Sequence, residues 1–150
     1  MQSHLYPYLA FTSAKTAIDY YQREFGATNI TRISPQPEQA QMFGIPAGAD
    51  LTSMTMHAEF TVLGVQIQCA DAFNGATAPN KQIMLMIDIN ADDPDSVSAA
   101  DAFYAKLIAD DAVTVNLPYA DQFWGGKMGQ FTDKFGVTWQ INVQSWGQRG

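Results

Sequence analysis

Gly64-Val65-Gln66-Ile67-Gln68 and Gly136-Val137-Thr138-Trp139-Gln140 are two copies of one phrase, and their recurrence decides the fold. Each copy follows a Phe-Thr pair, Phe60-Thr61 and Phe131-Thr132, and each alternates like the outgoing strand of a hairpin. A second pair of segments recurs in the same order upstream: Ala17-Ile18-Asp19-Tyr20-Tyr21 and Ala100-Asp101-Ala102-Phe103-Tyr104. A chain that spells strand, helix, strands and then spells it again consists of two copies of one unit. The expected fold is therefore α+β, built from duplicated βαβββ modules at about residues 1–76 and about residues 80–146 of one domain, 1–150. Modules this small bury little surface alone, so they are expected to share a sheet or to pack together.

Local signals place the elements. Leu5 to Phe11 alternates, and Thr12-Ser13 can cap a helix reaching about Phe25, with Ala17, Tyr20, Tyr21 and Phe25 on one stripe and Gly26 as its stop. A strand near Thr28–Ser34 follows, then a Pro-rich polar stretch, Pro35 to Asp50, that reads as a mobile loop. Thr52 to Asp71 reads as a long hairpin, and Thr77-Ala78-Pro79-Asn80 as the joint between modules. The second module is expected to run through a strand at Gln82–Ile89, a helix from about Ser96 to Ala109, a strand at Val113–Leu117 and a hairpin from about Lys127 to Val143.

If Leu63-Gly64 is a two-residue turn, Val62 pairs with Val65, Thr61 with Gln66 and Glu59 with Gln68. Strand side chains alternate between faces, so His57, Glu59, Thr61, Gln66 and Gln68 share one face. Met56, Ala58, Phe60, Val62, Val65, Ile67 and Cys69 share the other, which belongs under a helix. The later strand divides likewise, with Thr138, Gln140 and Asn142 opposite Val137, Trp139, Ile141 and Val143. Tyr6 and Tyr8 share a face of the first strand, and Met84 and Met86 join Gln82 on the fifth. Amides mixed with Tyr and Met suit a small-molecule concavity better than open water.

Composition limits the classes of function. With a formal net charge of −7 and eight scattered basic residues, the chain lacks the clustered cations that nucleic acid requires. No apolar run approaches a membrane span, and the N-terminus has no basic-then-apolar leader pattern. The single Cys69 excludes an internal disulfide, fits a reducing cytoplasm, and reads as a buried inert thiol beside Ile67. Asp92, Asp93 and Asp95 have the composition of a calcium loop without its spacing or closing Glu, and read as a solvated helix cap. The glycines of Trp124-Gly125-Gly126-Lys127-Met128-Gly129 open no helix, so they read as an approach to a hairpin with Trp124 as a pocket lid. The chain also shows no nucleotide-binding βαβ unit of the kind methyltransferases use.

Glu59, opposite Gln68, is the candidate general base, since partial burial raises a carboxyl pKa. His57, two residues away, points the same way; the pair is either polar surface or, with His4, a shifted metal site.

The duplicated βαβββ unit, Pro7-Tyr8-Leu9 leading into a helix with Tyr20-Tyr21, and Asp133-Lys134-Phe135-Gly136-Val137-Thr138-Trp139-Gln140-Ile141 resemble the vicinal oxygen chelate superfamily of glyoxalase I, bleomycin-resistance proteins and extradiol dioxygenases. Within it the chain is similar to the PhnB-like group, which includes proteins labelled 3-demethylubiquinone-9 3-methyltransferase. The resemblance implies a curled mixed sheet around a cup and a homodimer. It also implies ligands from the first and last strands of each module, at Tyr6, Gln68, Gln82 and Gln140, where no His or carboxylate stands. Amide oxygens alone anchor a divalent ion poorly, so no metal and no cofactor are expected. The expected function is binding of a small organic ligand in a metal-free cup lined by Tyr6, Tyr8, His57, Gln68, Gln82, Met84, Trp124 and Gln140. The alternative is a metal-dependent lyase with Glu59 as base.

Overall fold

Two compact units, Met1–Thr77 and Ala78–Gly150, divide the chain. The computed structural model describes residues 1–73, 75, 78 and 82–147. Of the expected joint between modules only Ala78 is among them; Thr77, Pro79 and Asn80 lie outside the described residues.

The first unit runs β1 (Tyr8–Phe11), α1 (Ala14–Glu24), β2 (Thr28–Ile33), α2 (Pro37–Met42), a short 3-10 turn (Leu51–Ser53), β3 (His57–Val62) and β4 (Val65–Asp71). The second runs β5 (Leu85–Asn90), α3 (Pro94–Leu107), β6 (Thr114–Asp121), β7 (Lys127–Thr132) and β8 (Thr138–Gln144). Their sheets have one topology: β1-β4-β3-β2 and β5-β8-β7-β6. In each, the first and last strands pair parallel and the remaining neighbours antiparallel. The βαβββ order is thus repeated.

Helix α1 begins where the Ser13 hydroxyl accepts the Thr16 N–H. Its start is also tied to the sheet, because the Ala14 N–H donates to the Asp71 carboxylate at 2.8 Å and the Thr55 N–H donates to the same carboxylate at 3.0 Å. The helix ends at Gly26, whose φ of +63° lets the Ala27 N–H return to the Tyr21 carbonyl. The predicted stripe is buried. Tyr21 stacks on Phe60 with ring centroids 5.2 Å apart, and meets Phe25 edge-on at 4.9 Å.

Leu63 and Gly64, with φ of +48° and +79°, form the two-residue turn that right-twisted hairpins favour. The register is the one this turn implies: Val62 with Val65, Thr61 with Gln66, and Glu59 with Gln68. Ala58, Phe60, Val62, Ile67 and Cys69 are consequently buried, while His57, Glu59, Thr61, Gln66 and Gln68 are half-buried on the other face.

In the second unit Trp139, Phe131, Ile141 and Leu107 are buried, and Phe131 and Trp139 stack at 6.4 Å. The recurring phrase closes around a buried carboxylate. One Asp133 oxygen accepts the Phe135 and Val137 N–H groups at 2.8 and 3.1 Å, and the other accepts the Trp139 indole N–H at 2.9 Å. With Gly136 at a φ of +82°, this single side chain builds the turn and fixes the indole under it.

Several boundaries differ from the sequence reading, among them β1, which starts at Tyr8 rather than Leu5, and β6, which runs on to Asp121 rather than ending at Leu117. Pro35 to Asp50 contains helix α2, because Pro37 suits the first helical position and the Gln39 side chain accepts the Gln36 N–H at 2.9 Å. Thr52 belongs to the 3-10 turn, held by the Asp50 carboxylate, so the hairpin starts at His57. Gln82 and Met84 precede β5, which starts at Leu85. Helix α3 starts at Pro94 behind Asp93, two residues before Ser96. No helix among the described residues is long and apolar enough to cross a membrane.

The burial pattern sets an expected outcome for two substitutions. Trp139→Ala should destabilise the protein by about 3–5 kcal/mol, from lost burial, the cavity left and the lost indole hydrogen bond to Asp133. Gln68→Ala should cost about 1 kcal/mol or less. Urea unfolding of both variants checks this, and equal costs would contradict the assigned faces.

Candidate functional site

The half-buried face of the first sheet carries the only charged constellation that the candidate residues form. Three strands converge on it: Tyr8 of β1 lies beside Gln68 of β4, and Gln68 lies opposite Glu59 of β3. Across β3, Thr31 and Ile33 of β2 pair with Glu59 and His57. Alternation puts all these side chains on one side.

A continuous hydrogen-bonded row runs along this face. The Gln66 amide donates to Glu59 Oε2 at 2.8 Å, His57 Nε2 meets Glu59 Oε1 at 3.2 Å, and the Tyr8 hydroxyl lies 3.4 Å from His57 Nδ1. The Tyr8 and His57 rings are 5.9 Å apart and tilted. Both oxygens of Glu59 are therefore engaged, and its side chain, like that of His57, remains 35% exposed. A partner on each oxygen satisfies a carboxylate at this depth better than water on one side alone.

The corresponding face of the second sheet is neutral where the first is charged. Met86 of β5 pairs with Gln140 of β8, and Gln140 pairs with Gln130 of β7. The Gln130 amide donates to Gln140 Oε1 at 2.8 Å, and the Gln140 amide reaches the Met86 sulfur at 3.5 Å. Register equates Tyr8 with Met86, Gln68 with Gln140, Glu59 with Gln130 and His57 with Met128. Further along, Asp88 accepts the Asn142 amide at 2.8 Å and the Trp146 indole N–H at 3.1 Å.

The remaining sequence candidates are placed apart. Tyr6 precedes β1 and lies against His4, with ring centroids 5.9 Å apart. Gln82 and Met84 precede β5, so the residue beside Gln140 is Met86. Trp124 sits in the turn between β6 and β7, edge-on to Phe123 at 4.9 Å. His4 does not complete a metal set with His57 and Glu59: among the described residues no three His, Cys, Asp or Glu side chains gather to hold an ion. Gln130 escaped the sequence reading because the second hairpin has no two-residue turn from which to count. The Asp133-to-Gly136 turn, read as a unit, would have given it.

Cys69 is buried on the opposite face, and burial first, then the Asp71 charge, pushes its thiol up to about 12 from 9.0. A raised thiol pKa keeps the folded form protonated where the unfolded chain has ionised, so this group's contribution to stability falls as pH rises from about 9 towards 12. A disulfide reagent at about pH 8 should leave the folded protein unmodified and react fully in denaturant. Rapid labelling of the native protein would contradict that burial.

Two duplicated βαβββ modules, each with a four-stranded mixed sheet, place the chain in the vicinal oxygen chelate superfamily. A family model described as 3-demethylubiquinone-9 3-methyltransferase matches residues 3–142, and the chain belongs to that family. It is 30% identical over 145 residues to protein YjdN of Escherichia coli (strain K12), covering 93% of this chain and 94% of that one. Among solved structures it is similar to the putative 3-demethylubiquinone-9 3-methyltransferase, PhnB protein, from Bacillus cereus, with 22% identity, a TM-score of 0.58, and 95% of this chain and 100% of that one covered. It is also similar to the fosfomycin resistance protein FosX from Listeria monocytogenes, with 12% identity, a TM-score of 0.61, and 100% and 99% covered. At these identities the two structures show a shared fold.

Proposed function

We propose that this protein binds a small, partly apolar organic molecule on the polar face of its first sheet, without a transition ion. The observation that carries the reading is the hydrogen-bonded row Tyr8–His57–Glu59–Gln66, half-buried at His57, Glu59 and Gln66 and open to solvent at Tyr8, beside the exposed Ile33. Oriented polar groups next to apolar surface are what a small-molecule site needs. Tyr6, Gln82, Met84 and Trp124 remain candidate contacts that mutation can test.

Neither pairing of first and last strands offers a donor set that fits a divalent metal. In the first sheet it presents a phenol at Tyr8 and an amide at Gln68, and in the second a thioether at Met86 and an amide at Gln140. A hard or borderline divalent ion prefers imidazole or carboxylate. The family's name denotes methyl transfer. Against that reading, the parallel strands of each sheet are its first and last, with two further strands between them in the chain, so among the described residues no helix joins parallel neighbours into the nucleotide-binding βαβ unit that methyltransferases use. Within this reading the chain works as a homodimer, as its superfamily resemblance implies, in the reducing cytoplasm that its single Cys69 fits.

A thermal-shift screen of small organic compounds tests the reading. At least one compound should raise the melting temperature in a saturable way, through mass action on the folded state. Glu59→Gln should keep the fold and alter that binding, since it removes the charge that orders His57. A hit that Glu59→Gln leaves unchanged would put the site elsewhere, and a screen without hits would overturn the reading.

A further inference from the structure

We propose that Tyr8, His57 and Glu59 form a proton-accepting site that takes a small organic molecule by a weakly acidic hydroxyl, a phenol or an enol. The inference rests on the small-molecule reading above and adds the chemical class of the ligand.

A carboxylate only accepts hydrogen bonds, so the contact at Glu59 Oε1 assigns a proton to His57 Nε2. In the Nε2-protonated neutral tautomer, Nδ1 presents a lone pair that can accept from the Tyr8 hydroxyl 3.4 Å away. Tyr8 is 54% exposed, so its oxygen can still accept from a ligand. When a weak acid binds there, its O–H bond breaks as the Tyr8 oxygen takes the proton, and the original Tyr8 proton moves to Nδ1. His57 becomes an imidazolium against the Glu59 carboxylate, the ligand keeps the electron pair as an oxyanion, and nothing is oxidised or reduced. Glu59 acts through His57 and is a positioning residue.

Charge selects the class. The residues that share this face from neighbouring strands are Thr31, Ile33, Gln66, Gln68 and Tyr8, none of them basic. Arg32, the basic residue of β2, pairs with Ala58 on the other face and donates to the carbonyls of Met54 and Thr52 at 2.9 Å each. A ligand bearing a permanent phosphate or carboxylate would face the Glu59 charge with no cation in return. A weak acid arrives neutral, and Ile33 and the Tyr8 ring give its carbon skeleton apolar surface. In the second sheet Met86, Met128 and Gln130 stand in the equivalent places, so that sheet does not repeat the site.

The test titrates the full chain with para-nitrophenol, whose absorbance separates phenol from phenolate. The expected result is saturable binding with a changed ionised fraction, lowered about tenfold or more in affinity by Tyr8→Phe and by His57→Phe. Glu59→Gln should weaken binding measurably, though less than either of these, and lose the change in ionisation, and para-nitrophenyl phosphate should bind about tenfold more weakly than the phenol. Circular dichroism checks folding, and if His57→Phe does not fold, Tyr8→Phe, which loses one exposed hydroxyl, decides. The proposal is overturned if para-nitrophenol does not bind, if Tyr8→Phe binds it equally, or if the phosphate ester binds as well. If the thermal-shift screen yields ligands while para-nitrophenol fails, this inference falls and the broader reading stands; if neither gives binding, both fall.

Discussion

The Leu63–Gly64 turn is the constraint on which the first sheet depends. With a two-residue connection both central residues must take positive φ, and the strands on either side have one register open to them. Because side chains alternate, a slip of one residue would send Phe60 and Ile67 to the polar side and bring Glu59 under helix α1. A bare carboxylate against Tyr21 and Phe25 would be costly enough to exclude that arrangement. Turn geometry and the aversion of charge to the core therefore act together, and the row from Gln66 to Tyr8 is a by-product of their agreement.

The second module reaches the same topology by other means. Its hairpin lacks the short turn, and the Asp133 carboxylate supplies the missing specification by binding two backbone N–H groups and the Trp139 indole. That explains why the repeated phrase is longer and more particular in its second copy. It also separates what duplication kept from what it released. Strand order, parallel first-to-last pairing and the apolar face are common to both modules. The polar faces have diverged, one carrying His57 and Glu59, the other Met128 and Gln130.

Much of this was legible in the residues alone. Repetition gave the module order, and period-two alternation with a countable turn gave the pairing of Glu59 with Gln68. What failed were chiefly starts of elements. Pro37 and Pro94 sit at the first positions of helices, where proline is favoured, but proline was read as loop punctuation in one case and as a turn in the other. Gln82 and Met84 continue an alternating pattern beyond the point where β8 offers partners, and a strand ends where pairing ends. The connection from Glu59 through His57 to Tyr8 was hidden for a different reason: it requires knowing that β1 lies parallel to β4, a pairing between residues about sixty positions apart.

That parallel pairing has a consequence for the order in which the chain can acquire structure. Strands β1 and β5 lie at the edges of their own sheets, and each pairs there with the strand synthesised last in its module. On a ribosome, the opening strand of each module must wait without a partner until the closing strand emerges. The first sheet can complete its ladder once Asp71 has been made, before any of the second sheet exists. The second cannot do so until Gln144 is free. Nascent-chain quality control would therefore meet β5 without a ladder partner until β8 emerges, and that strand sets how long the interval lasts.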